Sequence, residues 1–466
     1  MLGGGMAGLV AAYELGKLGY QVELYEAGSR IGGRVHTHRF DADPTGSFAE
    51  LGAMRLPAHH VRTLSYIDEL GLSDRLRPFR SWLSDGRAFL AMEPGPVQVS
   101  EAAPALVGEL RARLGEPGYR EESLLFAAWL IAAVRALSPQ RLRDQLDNKI
   151  VLGRLLGQLD GMNLGPYVRG ADRPADLEAF FTDHPRCRKV LPLELDGFLD
   201  DVLTEISPAL LRLEHGISAL PERLALALGS AVHLGHTLTG LRVRERDVIL
   251  ELSCAGRTIV RRVDYAVCAI PFSALRHVRM DGLSQDKAEA IRTTVYCSAT
   301  KVAFHCRERF WEREGITGGA SFTGGDIRQT YYPDHGSVLL ASYTIGEEAD
   351  RLGRMTAERR HEHVRRQLAA IHPALDEPGM VRAAASMAWG QDGLTHGGCT
   401  VRWGKTASAA EAERELAARP DKHLFFAGEH CATTPAWIES AVESALEAVQ
   451  GISLHRYDRR PVSRSA

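Results

Sequence analysis

Three glycines near the N-terminus constrain the fold of this chain more than any other feature. Gly3, Gly5 and Gly8 form a Gly-x-Gly-x-x-Gly pattern, and apolar residues with helical spacing follow from Leu9 to Leu18. In a β-α-β unit the first two glycines permit a tight turn and a close approach to a pyrophosphate, and the third lets the helix pack on the sheet. The pattern predicts a Rossmann-like dinucleotide-binding domain with the pyrophosphate at a helix N-terminus.

An acidic residue after the next predicted strand supports this interpretation. That strand covers residues 21–25, and Glu26 follows it at a place where a carboxylate can bind a ribose hydroxyl. An acid there favours FAD or NAD over NADP, because it would repel the 2′-phosphate. The first strand of such a unit should precede Gly3, yet only Met1 and Leu2 stand there. Either the start is misassigned or that strand is trimmed.

Size, charge and cysteine content exclude several classes of protein. The 466 residues indicate two or three domains. A formal net charge of −3 without a long basic block argues against nucleic acid and anionic membranes as partners. We find no apolar run of membrane-spanning length and no signal-peptide pattern. The seven cysteines form no Cys-x-x-Cys pair, which favours reduced thiols in a cytoplasmic setting and no metal site.

The pattern of helices and strands along the chain predicts a mixed α/β (α+β) fold with three parts. Residues 1–56, 217–280 and 400–455 are expected to form a discontinuous dinucleotide-binding domain. Residues 57–100 and 281–399 are expected to form a mixed-sheet substrate-binding domain. Residues 101–216 are rich in Leu, Ala and Arg with helical periodicity, and we interpret them as a helical domain inserted between the others.

Further motifs join the glycine turn and define a resemblance. They are Arg30-Ile31-Gly32-Gly33-Arg34, Leu51-Gly52-Ala53-Met54-Arg55-Leu56-Pro57, Ala299-Thr300-Lys301, Tyr343-Thr344-Ile345-Gly346, Trp389, Ala427-Gly428-Glu429 and Trp437-Ile438-Glu439-Ser440. With them the chain resembles the flavin amine oxidase family, and within it the L-amino acid oxidases, from Gly3 to about Val449. The resemblance implies FAD as cofactor. Beside Gly3, Gly5 and Gly8, it places the following residues at the FAD: Met6, Ala7, Glu26, Ala27, Arg34, Gly52, Ala53, Met54, Arg55, Leu238, Trp389, Glu429, Trp437, Ile438, Glu439 and Ser440.

Arg55 favours the amino acid oxidases over enzymes that act on simple amines. By resemblance this arginine holds the α-carboxylate of the substrate, and Tyr343 assists. The physical chemistry agrees, because a guanidinium presents a planar fork that pairs two-to-two with a carboxylate and a phenol adds one donor. A simple amine has no carboxylate to bind. The alternative is that Arg55 bridges a flavin phosphate or backbone carbonyls.

Lys301, Trp437 and Ala436 complete the implied substrate site. By resemblance Lys301 holds a water beside the flavin N5, and its apolar neighbours favour a buried position over that of a surface lysine in a strand. Trp437 and Trp389 are aromatic walls by the same resemblance, although isolated tryptophans are core residues by default. Trp437 and the backbone near Ala436 would orient a neutral amine. We find no obvious general base, which fits a substrate that enters as the free amine.

Cys399 leaves two interpretations open. It stands in His396-Gly397-Gly398-Cys399, which is similar to the place where monoamine oxidases link a cysteine to the flavin 8α-methyl group. Most L-amino acid oxidases bind FAD without a covalent bond and lack this cysteine. A small buried residue is therefore the favoured interpretation, and a covalent flavin is the alternative.

These observations together predict an FAD-dependent L-amino acid oxidase. Hydride transfer would give the imino acid, which hydrolyses to a 2-oxo acid and ammonia, and oxygen would be reduced to hydrogen peroxide. The alternatives are an L-amino acid 2-monooxygenase that forms an amide, a monoamine or polyamine oxidase, and a flavin-binding protein without catalysis. The partners would be an L-amino acid and oxygen, and we expect a homodimer because dimers are common among such enzymes. The helical domain would supply part of the specificity wall, with Phe180, Phe181, Arg186 and Arg188 as open candidates.

Overall fold

The computed structural model describes residues 1–41, 46–93, 95–115, 118–146, 148–170 and 172–458. Its α-helices are α1 (Met6–Lys17), α2 (Val61–Glu69), α3 (Ala102–Leu114), α4 (Glu121–Leu137), α5 (Gln140–Leu146), α6 (Lys149–Asp160), α7 (Leu177–Asp183), α8 (Leu193–Ile206), α9 (Ala219–Leu228), α10 (Phe272–Leu275), α11 (Gln285–Thr293), α12 (Phe310–Arg313), α13 (Glu347–Gly353), α14 (Ala357–Ala369), α15 (Ala407–Ala418) and α16 (Ile438–Asp458).

The strands are spread over the whole chain. They are β1 (Leu24–Tyr25), β2 (Thr37–Arg39), β3 (Phe48–Glu50), β4 (Leu56–Pro57), β5 (Leu76–Pro78), β6 (Phe89–Leu90), β7 (Val97–Gln98), β8 (Leu210–Leu213), β9 (Val232–His233), β10 (Thr237–Val243), β11 (Val248–Cys254), β12 (Arg257–Val263), β13 (Ala266–Cys268), β14 (Arg279–Asp281), β15 (Tyr296–Cys297), β16 (Ala299–Cys306), β17 (Ala320–Gly324), β18 (Arg328–Tyr331), β19 (Val338–Ile345), β20 (Val381–Ala388), β21 (Cys399–Thr400) and β22 (Leu424–Phe426).

A parallel sheet carries the glycine turn. Strand β1 pairs with β9, and β13 pairs with β22, both in parallel. Leu2 joins the two pairs, because it forms parallel bridges with both Tyr25 and Cys268. The chain therefore places Met1 and Leu2 where the predicted first strand belongs, although β1 itself is shorter than the predicted residues 21–25. The mixed α/β fold with a Rossmann-like unit is confirmed.

Close backbone contacts set the position of α1. Gly3 has φ +99°, a conformation that favours glycine. A Cβ at Gly8 would lie 2.0 Å from the carbonyl oxygen of Gly3, so only glycine lets the helix approach this turn. The other side of α1 packs against α9 and α16, which bury its apolar residues. The glycine spacing thus determines how the first helix sits on the sheet.

A seven-stranded mixed sheet lies on the opposite side of the site. Its order is β20-β16-β19-β18-β17-β6-β7, and it combines strands from residues 89–98 with strands from residues 299–388. In the antiparallel pair of β16 and β19, Lys301 stands opposite Tyr343. Both predicted site residues are therefore held in register by the ladder itself. The division of the chain into three domains stays a prediction.

Helices α3 to α8 form one apolar cluster with part of this sheet. Helix α4 is buried along nearly its whole length. Helix α8 buries Leu195, Phe198, Leu199 and Val202, at the spacing of one helical face. After α8, strand β8 pairs with β4, so that Leu211 stands opposite Leu56. This pairing ties the end of the helical segment to the residue that follows Arg55.

Three features are absent from the part of the chain that the structure describes. No helix there is both long and apolar enough to cross a membrane. Within the same residues, no group of three or more His, Cys, Asp or Glu side chains could hold a metal ion. The seven cysteines form no disulfide among the residues that the structure describes.

Candidate active site

A cavity of about 720 Å³ extends from the N-terminus of α1 to strands β16 and β19. Most of the predicted site residues line it: Gly3, Gly5, Met6, Ala7, Glu26, Ala27, Arg34, Gly52, Ala53, Leu238, Lys301, Tyr343, Trp389, Cys399, Glu429, Ala436, Trp437 and Ile438. The structure therefore brings residues from both ends of the chain and from the mixed sheet to one cavity. Its volume lies in the range of cofactor and ligand sites.

The end of the cavity beside α1 fits a dinucleotide phosphate. Gly5 precedes the helix without a side chain that could cap it, and the first N–H groups of a helix have no partner within it. Such N–H groups, together with the helix dipole, favour an anion. Glu26 accepts hydrogen bonds at 2.7 Å from the backbone N–H groups of Gly4 and Gly28. Its carboxylate is thereby fixed at the wall of the cavity, at the place expected for a ribose.

An ion pair between Arg34 and Glu429 joins the two ends of the chain at the cavity wall. Their closest nitrogen and oxygen atoms are 2.8 Å apart, and Thr400 also donates to Glu429 at 2.9 Å. Burial alone would raise the pKa of Glu429, but the Arg34 guanidinium and His430 keep that pKa below its ordinary value. Burial would likewise lower the pKa of Arg34, and Glu429 keeps it raised. Both groups therefore remain charged at neutral pH.

Lys301 lies buried at the far end of the cavity. Its Nζ donates to the carbonyl oxygen of Gly52 at 2.6 Å and stands 4.7 Å from the ring centroid of Tyr343. Burial first, and the charge of Arg55 second, lower the pKa of Lys301 to about 7. A large part of the lysine population is then neutral near pH 7, so it can accept as well as donate a proton. The Trp389 indole donates to the carbonyl of Leu51 at 2.9 Å beside it.

Ala436 has a strained backbone next to Trp437. Its φ is +75°, which is uncommon for a residue with a side chain. Its N–H donates to Glu429 at 3.2 Å, which holds this conformation in place. Backbone strain of this kind persists where the surrounding structure fixes it, and it is often found at functional sites. The turn at Ala436 thus presents its backbone to the cavity in a defined orientation.

Arg55 is buried in a polar cluster next to this cavity and does not line it. Its Nη1 donates to the hydroxyl of Tyr331 at 2.9 Å, and its Nη2 donates to Glu205 on α8. Burial alone would lower the pKa of Arg55, but Glu205 and the neighbouring tyrosines hold it above its ordinary value. The guanidinium is therefore a permanent cation, covered by the carboxylate of Glu205 and a phenol. The predicted partner Tyr343 stands nearby on β19.

The sequence did not point to two acidic residues that lie close to Arg55. Asp201 and Glu205 are four residues apart on α8, outside the apolar set that this helix buries. Burial and the charge of Glu205 raise the pKa of Asp201 to about 7, while the indoles of Trp403 and Trp437 act as hydrogen-bond donors that hold it down. The available signal was a pair of acids at i and i+4 on α8 that lies along the edge of the apolar stripe instead of on the opposite face.

Several predicted residues take other places. Gly8 and Met54 pack away from the cavity, and Cys399 lines it on β21, where burial raises the pKa of its thiol. Glu439 accepts from the N–H groups of Arg62 and Thr63 at the start of α2, and Ser440 donates to the carbonyl of Thr434.

The four residues of the helical segment that were candidates for the specificity wall do not line the cavity. Phe180 and Phe181 belong to the helical core, and Arg188 pairs with Asp196.

The fold and this cavity define a class of flavoenzyme, and comparison with known proteins identifies it. The family model described as flavin containing amine oxidoreductase matches residues 6–453. The chain therefore belongs to the flavin-containing amine oxidoreductase family, and it is a flavin-dependent amine oxidoreductase.

The chain is also similar to individual known proteins. The chain is 48% identical over 459 residues to the flavin-dependent L-tryptophan oxidase RebO of Lentzea aerocolonigenes, with 97% of each chain covered. It is 26% identical to the L-amino-acid oxidase of Pseudechis australis, covering 97% of this chain and 86% of that protein. Among solved structures, wild-type putrescine oxidase bound to putrescine is similar with a TM-score of 0.62 at 19% identity, covering 98% of both chains. At that identity the likeness concerns the fold alone.

Proposed function

We propose that the protein is an FAD-dependent L-amino acid oxidase and that L-tryptophan is its first substrate to test. The buried Arg55 beside Lys301 and Tyr343 carries this proposal, because a permanent cation at this end of the cavity suits an α-carboxylate. A simple amine has no carboxylate that could pair with this cation. The 48% identity to an L-tryptophan oxidase supports an aromatic amino acid. The dinucleotide turn and the position of Glu26 support FAD.

We call the end of the cavity at Lys301 and Tyr343 the substrate end. Each residue there has a proposed role in orienting the amino acid. Arg55 and Tyr343 bind the carboxylate, and the backbone at Ala436 with Trp437 orients the amine. When bound, FAD would supply the hydride acceptor and the route by which the electrons reach oxygen. Lys301 donates directly to the carbonyl of Gly52, and we assign to its remaining hydrogen-bonding capacity a water with which it exchanges protons near pH 7. Fixed orientation of the reacting bond is the main contribution of the protein.

The first experiment is a substrate panel with the purified yellow protein. Hydrogen peroxide release is measured with L-amino acids, D-amino acids and simple amines, and the products are analysed by mass spectrometry. A 2-oxo acid formed from L-tryptophan is the expected result. An amide product would instead identify an L-amino acid 2-monooxygenase, and activity confined to amines would contradict the assignment of Arg55. Absence of any flavin reduction by an amino acid without oxygen would indicate a flavin-binding protein.

Replacement of Arg55 tests the carboxylate assignment directly. In Arg55→Met we expect kcat/KM for the amino acid to fall by about 100-fold or more, because a desolvated charge pair is lost. Bound flavin should remain, as measured by its visible absorbance. Arg77→Met serves as control, since Arg77 is partly exposed and pairs with Glu214 away from the cavity. Unchanged turnover in Arg55→Met would refute the assignment.

We propose further that the flavin is held without a covalent bond. The Cys399 thiol lines the cavity, but burial raises its pKa well above the ordinary value, so little of the nucleophilic thiolate is present. Acid precipitation should therefore release the yellow flavin into the supernatant. A yellow pellet that becomes colourless in Cys399→Ser would instead establish a covalent link. The homodimer and the cytoplasmic location stay predictions, and sedimentation of the purified protein tests the first.

A further inference from the structure

The guanidinium of Arg55 already has a carboxylate as its partner. Glu205 pairs with both terminal nitrogens of Arg55, and Tyr331 accepts a further hydrogen bond from Nη1. The Arg55 side chain is 5% exposed and that of Glu205 is 17% exposed, so the acid lies on the more open side of the pair. Gly52 and Ala53 line the cavity, whereas Arg55, two positions further on, and its partner Glu205 lie just behind the cavity wall. Glu205 is thus already paired with the group that the proposed function assigns to the substrate.

The fold delivers Glu205 to this position from the helical segment. Helix α8 is fixed by its buried apolar face, and β8, which follows it, pairs with β4 directly after Arg55. Asp201 lies one turn earlier, beside Trp403 and Trp437. A displaced Glu205 would therefore remain close to a second acid, and like charges at i and i+4 repel each other. The pair with Arg55 is the favourable place for the Glu205 charge when no ligand is bound.

We infer that Glu205 occupies the position of the substrate carboxylate on Arg55, and that an amino acid binds by displacing it. This inference rests on the proposed function. The exchange replaces one carboxylate–guanidinium pair by another, so the carboxylate of the ligand contributes little net affinity. The side chain of the ligand must supply the remaining binding energy through apolar and aromatic contact. The cost of displacing Glu205 is the same for every amino acid, so only a ligand with a large apolar or aromatic side chain gains enough binding energy to overcome it.

Replacement of Glu205 by an uncharged isostere tests this inference. In Glu205→Gln we expect KM for L-tryptophan, and the calorimetric dissociation constant for benzoate, to fall about 10-fold. The KM for L-alanine should fall by a similar factor, because the same cost of displacement is removed for every amino acid. Asp200→Asn is the matched control on the same helix, because Asp200 is exposed and pairs with Arg188. Its constants should equal those of the unmodified protein.

The outcomes separate this inference from the proposed function. Benzoate binding equal to or weaker than that of the unmodified protein, including no detectable binding to either, would overturn the inference and make Glu205 a residue that positions Arg55. Tighter benzoate binding in Glu205→Gln without turnover of any amino acid would retain the inference and reject the oxidase. The gain should vanish in the double variant with Arg55→Met. Should Glu205→Gln fail to fold, Glu205→Asp keeps the charge with a shorter reach and should show a smaller gain.

Discussion

The two ends of the cavity are built from different kinds of contact. The flavin end, which we assign to the N-terminus of α1, combines a close backbone contact between α1 and the turn at Gly3 with the Arg34–Glu429 pair, which keeps both charges at neutral pH. The substrate end depends on side chains, since Lys301 and Asp201 each have a pKa of about 7. One end is fixed in shape and charge, and the other changes its protonation near neutrality. This difference suits a site that holds a cofactor permanently while a substrate enters and leaves.

The largest expected effect tests the rigidity of the flavin end. In Gly8→Ala the new methyl group would lie 2.0 Å from the Gly3 carbonyl oxygen, so α1 must move and the phosphate site is lost. We expect protein without bound flavin, or no folded protein. In Gly16→Ala, on the same helix, the methyl group meets no atom within 4 Å, and unfolding should require up to about 1 kcal/mol more. The measurements are the flavin-to-protein absorbance ratio and denaturant unfolding. A fully loaded Gly8→Ala protein would refute the comparison.

The second-largest expected effect concerns Arg34 and Glu429, the charged pair at the flavin end. In Glu429→Gln the partly buried Arg34 loses its ionic partner, and we expect the free energy of unfolding to fall by up to about 3 kcal/mol. The exposed pair of Glu289 and Arg292 is the control, because Glu289→Gln should change it by less than about 1 kcal/mol. Equal losses in the two variants, measured by denaturant unfolding, would show that the Arg34–Glu429 pair is no stronger than a surface pair.

The smallest expected effect tests whether a group beside Lys301, at the substrate end, changes its protonation near neutral pH. Burial raises the pKa of Glu50, which lies beside Lys301, from 4.5 to about 7. At Glu50 the folded state then binds more protons than the unfolded state between these values, so the contribution of this group to stability is full below pH 4.5 and is lost as the pH rises through 7. In Glu50→Gln the fall in stability should be smaller by at most about 3 kcal/mol, and the part that comes from Asp201 should remain. Unfolding as a function of pH measures it. The exposed substitution Glu362→Gln should leave the fall in place, and an identical profile in Glu50→Gln would contradict the assignment.

The sequence predicted the flavin end well and the substrate end in part. The helix that begins at the glycine turn forms as expected, because it follows from the local spacing of apolar residues. Lys301 and Tyr343 meet on adjacent strands, which the sequence anticipated only through resemblance. Asp201 and Glu205 escaped notice, because charged residues on a helix usually face solvent. Only the packing of α8 shows that these two do not.

The sequence by itself determined the dinucleotide turn and the family of enzyme. A glycine turn is a local property of the backbone, and the residues that form it lie within one β-α-β unit, so its geometry can be inferred from spacing alone. The tertiary structure decided what the guanidinium of Arg55 contacts. Its partner Glu205 lies 150 positions away and arrives through the packing of α8 and the register of β8 against β4. Such a contact depends on which helix face becomes buried, and that is decided by all the residues that pack against it.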